Sequence, residues 1–162
     1  MFIEEDFEQH VVNLLTSAKT ATPQLEIKTI ALMDDVDITL DNFHEYAKDQ
    51  PAVIVGLLDD AILNTVGALN DSQNLTYELR VFLLVQSKEK KGGIMKAARP
   101  ILRQLKNILR GLRYTSAEGA TEGLGRLIYG GREFIAAQNG VALFLQTYAL
   151  HTLDTNDTRR TI

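Results

Sequence analysis

The sequence of 162 residues has no cysteine, no tryptophan and three prolines. Without thiols there is no disulfide framework, no thiolate metal site and no cysteine nucleophile. No stretch approaches the run of about 18 apolar residues that a membrane span needs. The first residues are acidic (Glu4, Glu5, Asp6) and lack the basic segment and apolar run of a secretory signal. What is present is ordinary: 45% hydrophobic and 23% charged residues, the balance of a globular chain, which excludes a disordered or collagen-like one. A chain of this length can bury a core of its own. The expectation is an intracellular, soluble protein with one domain over residues 1–153 and a polar, fraying tail over 154–162.

The net charge of −4 hides a strong polarity. Residues 1–60 carry thirteen Asp/Glu against three Lys/Arg, whereas residues 88–113 carry nine Lys/Arg against Glu89 alone. Three readings follow. The run is a solvated helix face, with the two halves neutralising each other in a monomer. Alternatively, the basic face of one subunit meets the acidic face of the next and sets register. A basic face could also contact nucleic acid, although the acidic total and the lack of aromatics on that face count against it.

Residues 4–18 read as a helix, with Phe7, Val11, Leu14, Leu15 and Ala18 on one stripe and acids in the first turns. Residues 25–33 alternate in part and suggest a strand. Residues 34–46 read as a polar loop holding Asp34, Asp35, Asp37, Asp41 and Glu45. Pro51 opens an apolar run to Leu58 that suits a central strand. Residues 59–74 read as a long connection, and 76–86 as a strand with Tyr77, Leu79, Val81, Leu83 and Val85 on one face. A second amphipathic helix spans 94–112, interrupted by Pro100, which predicts a kink. Its outer side carries Lys96, Arg99, Arg103, Lys106 and Arg110. Two further strands flank Gln138-Asn139-Gly140, where Asn-Gly favours the positive φ angles of a tight hairpin turn. The order α-β-β-β-α-β-β predicts an α+β fold, with two helices on one face of a mainly antiparallel sheet of about five strands.

Two helices cover one sheet face. By this register Leu79, Val81 and Leu83 lie beneath them with Phe134, Leu143 and Leu145. The other face then shows Phe82, Leu84, Ile135 and Phe144 among Glu78, Arg80, Glu133 and Gln146. Apolar side chains mixed with charge suit a subunit interface. The alternative is that residues 59–74 fold over them.

No catalytic constellation is visible. His10, His44 and His151 lack companions at metal-ligand spacing. The acidic run over 34–45 lacks the spaced oxygen ligands and glycine hinge of a calcium loop, and reads as a solvated or docking loop. Gly123, Gly125, Gly130 and Gly131 precede a strand, where a phosphate cradle needs a helix, so they suit bends or a bulge. No serine sits in a nucleophile-elbow context. The expectation is a protein that is not an enzyme and binds no cofactor or metal.

The helix segment 7–15 (FEQHVVNLL), the strand 51–56 (PAVIVG), the strand 77–85 (YELRVFLLV), the amphipathic helix 94–112 and the closing strand 141–148 (VALFLQTY) follow one another in a familiar pattern. In that order and spacing, over residues 4–150, the chain resembles the Mu-like phage tail terminator (tail-completion) family. The resemblance implies a structural virion protein without catalytic residues. Such subunits close into a ring, typically a hexamer, that caps the tail tube, stops its polymerisation and joins the head-neck assembly. The implied partners are copies of itself, tail tube and sheath proteins and a head-neck connector. The implied location is the tail-neck junction of the virion, and the host cytoplasm during assembly. Phe82, Leu84, Ile135 and Phe144 are then interface candidates, Lys96, Arg99, Arg103, Lys106 and Arg110 a basic docking face, and Asp34, Asp35, Asp37, Asp41 and Glu45 an acidic docking loop. A small-ligand-binding regulatory module and a nucleic-acid binder using 88–113 are the rival functions.

Overall fold

The computed structural model describes residues 4–22, 25–35, 39–45, 50–66, 72–86, 93–114 and 126–154, with 59–66, 72–76, 151–154 and Ile94 described through their backbone. Helix α1 (Glu4–Ala21) buries Phe7, Val11 and Leu15 completely, the stripe that its three- and four-residue spacing dictates. Acids fill its first turn and Lys19 its last, matching the helix dipole. Strand β1 (Thr29–Leu32) is short, and a 3-10 turn (Met33–Asp35) follows it directly. Strands β2 (Ala52–Val66) and β3 (Ser72–Gln86) are long. Helix α2 (Gly93–Leu109) runs through Pro100, and β4 (Ile128–Gln138) and β5 (Val141–Asp154) close the chain.

The five strands form one sheet in the order β1-β2-β3-β5-β4. Only β1 and β2 are parallel, beginning where the Lys28 N–H donates to the Pro51 carbonyl at 2.8 Å. The other pairs are antiparallel, so the fold is the expected α+β arrangement. Residues 59–74 correct the sequence reading. Rather than a long connection, 59–66 and 72–74 extend β2 and β3, whose pairing absorbs two register shifts, between Leu58/Ala61 and Ile62/Asn64. A bulge admits an extra residue at the cost of local alternation, and this is why the pattern there does not read as a strand. The hairpin turn behaves as its residues require: Asn139 and Gly140 have φ of 52° and 78°. The tail 155–162 and the glycine-rich 115–125 segment, which holds Gly123 and Gly125, lie outside the described residues.

The main core lies between the helices and the sheet. Val53 and Val55 of β2, Leu79, Val81 and Leu83 of β3, and Phe144 and Tyr148 of β5 pack against Val11 and Leu15 of α1 and Leu102 and Leu105 of α2. A smaller cluster occupies the opposite face: Ala52, Ile54, Leu84, Val141 and Leu143 beneath Phe43, with Met33 and Phe82 at its margin. Gly56 permits this second layer, since a Cβ there would stand 2.9 Å from the Met33 methyl carbon. Among the described residues no helix is long and apolar enough to cross a membrane.

Candidate functional site

Helix α2 lies over β3 and β5 with two unlike flanks. The flank toward α1 is neutral, where Gln104, Asn107 and Ile108 meet Ala18, Thr22 and Leu25. The flank toward the edge strand β4 is basic. There Arg99, Arg103 and Lys106 of α2 face Tyr129 and Arg132 of β4 across a cleft of about 320 Å³, floored by Leu102 and Gln146. A second cleft of about 540 Å³ continues past Lys106 and Tyr129 to Arg110, Arg126 and Ile128. No acidic residue lines either cleft among the described residues, nor does any of these six cations have a carboxylate within ion-pair distance there. The Lys106 ammonium sits 4.4 Å from the centre of the Tyr129 ring, a cation–π contact that keeps its charge at the seam between the two clefts.

A buried polar relay sets the cleft floor. Gln146 is buried, and its Nε2 donates to the Leu102 carbonyl at 2.8 Å while its Oε1 accepts from the Tyr148 hydroxyl at 2.8 Å. Both ends of the amide are therefore satisfied, as burial demands, and α2 is tied at mid-length to β5. Burial, and then the neighbouring Tyr129, push the Tyr148 phenol far above its ordinary value, so it remains a neutral donor.

The opposite edge of the sheet is acidic. Glu5 and Asp6 of α1 are exposed, as are Asp34 and Asp35 of the 3-10 turn after β1. Glu8 shows that these groups share one region. Its carboxyl is raised above the ordinary 4.5, first by burial, then by Asp34, Glu5 and Glu4, against the backbone hydrogen bond it accepts from Leu57. Asp41 and Glu45 are exposed on the following segment, and Asp37 lies outside the described residues.

Of the expected docking residues, α2 displays Lys96, Arg99 and Arg103 to solvent, Lys106 is half-buried in the seam, and Arg110 is exposed in the turn beyond the helix. The structure adds Arg126, Arg132 and Tyr129, which the sequence reading missed. Residues 114–162 are almost neutral in sum, so bases on β4 carried no signal until the fold set them beside α2. Two large apolar side chains of β4 are exposed nearby, Ile128 at 53% and Phe134 at 54%.

The predicted open sheet face needs correction. Phe144 is 2% exposed in the main core under the helices, and Gln146 is with it; Leu143 and Leu145 take the opposite face. The cause is the β3–β5 register, which sets Phe144 opposite Leu83 and Gln146 opposite Val81 on the helix-covered face; across the hairpin, β4 carries a bulge between Phe134 and Ala136. Ala136 faces Leu143 as the turn dictates, but the extra residue Ile135 brings Phe134 opposite Phe144. Their rings meet edge to face at 5.5 Å. The second bulge, between Tyr129 and Gly131, uses the φ of 121° that Gly131 supplies. Leu84 is on the expected face but fully buried, covered by Phe43 from the same chain. Thus part of this face is closed by Phe43 and Met33. Phe82 and Ile135 remain half-buried there, and Phe82 lines an apolar groove of about 300 Å³ with Met33, Leu40, Ile54 and Leu143.

His10 packs against the Tyr114 ring at 5.1 Å and His44 against Phe43 at 6.2 Å. Among the described residues no three His, Asp or Glu side chains converge on a metal position.

Comparison with family models and with curated protein sequences returns no match. Comparison with solved structures does. The chain is similar in fold to a chain of the virion of a native gene transfer agent (GTA) particle, with a TM-score of 0.56 and 8% sequence identity, over 89% of this chain and 92% of that one.

Proposed function

We propose that this protein is a non-catalytic structural subunit of a phage-like virion, and that copies of it close into a ring that caps the tail tube. The ring ends tube polymerisation and offers the surface on which the head-neck assembly docks. The observation that carries this reading is the near end-to-end fold likeness to a chain of a GTA virion. The segregation of charge to opposite edges of one sheet supports it. Head-to-tail contacts close into rings when their rotation permits, and they need two complementary patches on each subunit. The resemblance of the element order to the Mu-like tail terminator family supports the same reading and, with it, six subunits. Removing the gene from the genome that encodes the particle tests the reading. The expected result is tails of uncontrolled length without attached heads, seen by electron microscopy. Tails of normal length joined to heads would refute it.

A further inference from the structure

The α2–β4 seam has cations without a carboxylate partner among the described residues, a tyrosine ring in its wall and exposed apolar side chains beside it. We infer that this seam is a receptor for the acidic edge of a second copy of the chain, seating Glu5 and Asp6 of its α1 and Asp34 and Asp35 of its 3-10 turn against Arg99, Arg103, Lys106 and Arg132. The inference rests on the ring reading and names the contact that joins neighbours.

Charge complementarity carries it. The acidic group lies at the β1 edge and the basic group at the β4 edge of the same sheet. Four strand spacings, about 19 Å, separate the β1 edge, which Asp34 and Asp35 follow, from Arg132 on β4, whereas charges are screened beyond about 8 Å at physiological ionic strength. Within one subunit Asp34 and Asp35 therefore do little to neutralise Arg132. Placed head to tail, each patch finds its opposite, and the same contact repeats around a closed ring.

The surroundings favour a protein edge over a nucleic acid. Ile128 and Phe134 flank the cations with exposed apolar surface that a protein partner can cover. A phosphate backbone has no counterpart for them, and a chain whose net charge is −4 does not steer a polyanion toward it. The edge strand itself is bent by two bulges, which suit it poorly to accept another strand. Contact is then made by side chains.

A charge-exchange experiment tests the pairing. One variant carries Arg103→Glu with Arg132→Glu, and the other Asp34→Lys with Asp35→Lys; all four positions are exposed, and circular dichroism checks that both variants fold. Self-association is followed by sedimentation velocity and native mass spectrometry. Wild type is expected to assemble at low salt and to shift toward monomer as salt is raised. Each variant alone is expected to lose assembly at wild-type concentrations, and an equimolar mixture to recover it, because every acidic cleft then meets a basic edge. Assembly of either variant alone at wild-type strength overturns the pairing but leaves the ring reading standing, since the ring would close through another surface. Failure of the mixture to recover also overturns it. A wild type that stays monomeric at every salt concentration overturns the second copy as occupant and leaves the ring reading to the gene-removal test. Binding of a DNA duplex or of inorganic phosphate by monomeric wild type, lost in the Arg103→Glu, Arg132→Glu variant, assigns the seam to that anion instead.

Discussion

At the scale of single residues, Glu8 sits where a carboxylate is least welcome, 8% exposed and beside other acids. Its folded pKa lies above 4.5, so the folded state holds the proton more tightly than the unfolded chain does. Protonation stabilises the fold fully below the unfolded value, and that stabilisation is lost as pH rises through the folded value. Glu8→Gln keeps an acceptor for the Leu57 amide without the charge. Thermal melts should therefore show Glu8→Gln more stable than wild type at pH 7, with the gap shrinking as pH falls toward 4.5. An equal gap at both ends would show that charge is not the cause. Phe144 makes the opposite case. A charge placed there would be buried among Leu83, Leu102 and Tyr148, with loss of the ring's burial in addition, together at least about 4 kcal/mol. Phe144→Asp should unfold or aggregate. A folded, soluble monomer by circular dichroism and sedimentation would contradict its placement in the core.

At the scale of elements, the helix-to-sheet tie through Gln146 belongs to neither partner alone. Tyr148→Phe removes the donor to the Gln146 Oε1 and leaves a buried acceptor unpaired. Urea denaturation should show a loss of about 1–3 kcal/mol; a loss under about 0.5 would mean that the amide finds another partner. Elements also show what sequence patterning can carry. Both helices were legible because one apolar stripe, repeated over four turns or more, overrides a proline at position 100. The turn at Asn139-Gly140 was legible because few residue pairs accept two positive φ angles. The faces of β3 were assigned correctly from its own alternation. Those of β5 depend on its register with β3, which no turn connects to it, so the expected faces came out reversed; in β4 the unpaired Ile135 then sets Phe134 opposite Phe144. No side-chain property marks that position as a bulge. Likewise, Asp59, Asp60 and Asn64 make the outer part of β2 look like a loop, although backbone pairing with β3 makes it a strand. Of the basic surface, the α2 half was visible as a charged helix face, but its β4 half exists only once a distant strand is folded against it.

At the scale of the whole molecule, both helices rest on one continuous sheet and share one core. Under conditions that keep the protein monomeric, unfolding should then be a single cooperative event. Far-ultraviolet circular dichroism and tyrosine emission, available without interference because the sequence has five tyrosines and no tryptophan, should give coincident denaturation midpoints. Separate midpoints would mean that α1 or the β4–β5 hairpin melts independently. On the opposite face, Phe43 and Met33 form a second layer that closes part of a surface which patterning alone would leave bare.

The glutamine under α2 has one more consequence. Because a hydrogen bond grips the helix at Leu102, the rod can neither roll about its axis nor slide along the strands beneath without breaking it. The stems of Arg99 and Lys106, about one turn on either side of that anchor, thus leave the helix at a constant spacing. Whatever settles against them meets a ruler, not a brush, and a misregistered neighbour finds its charges out of step along the whole length.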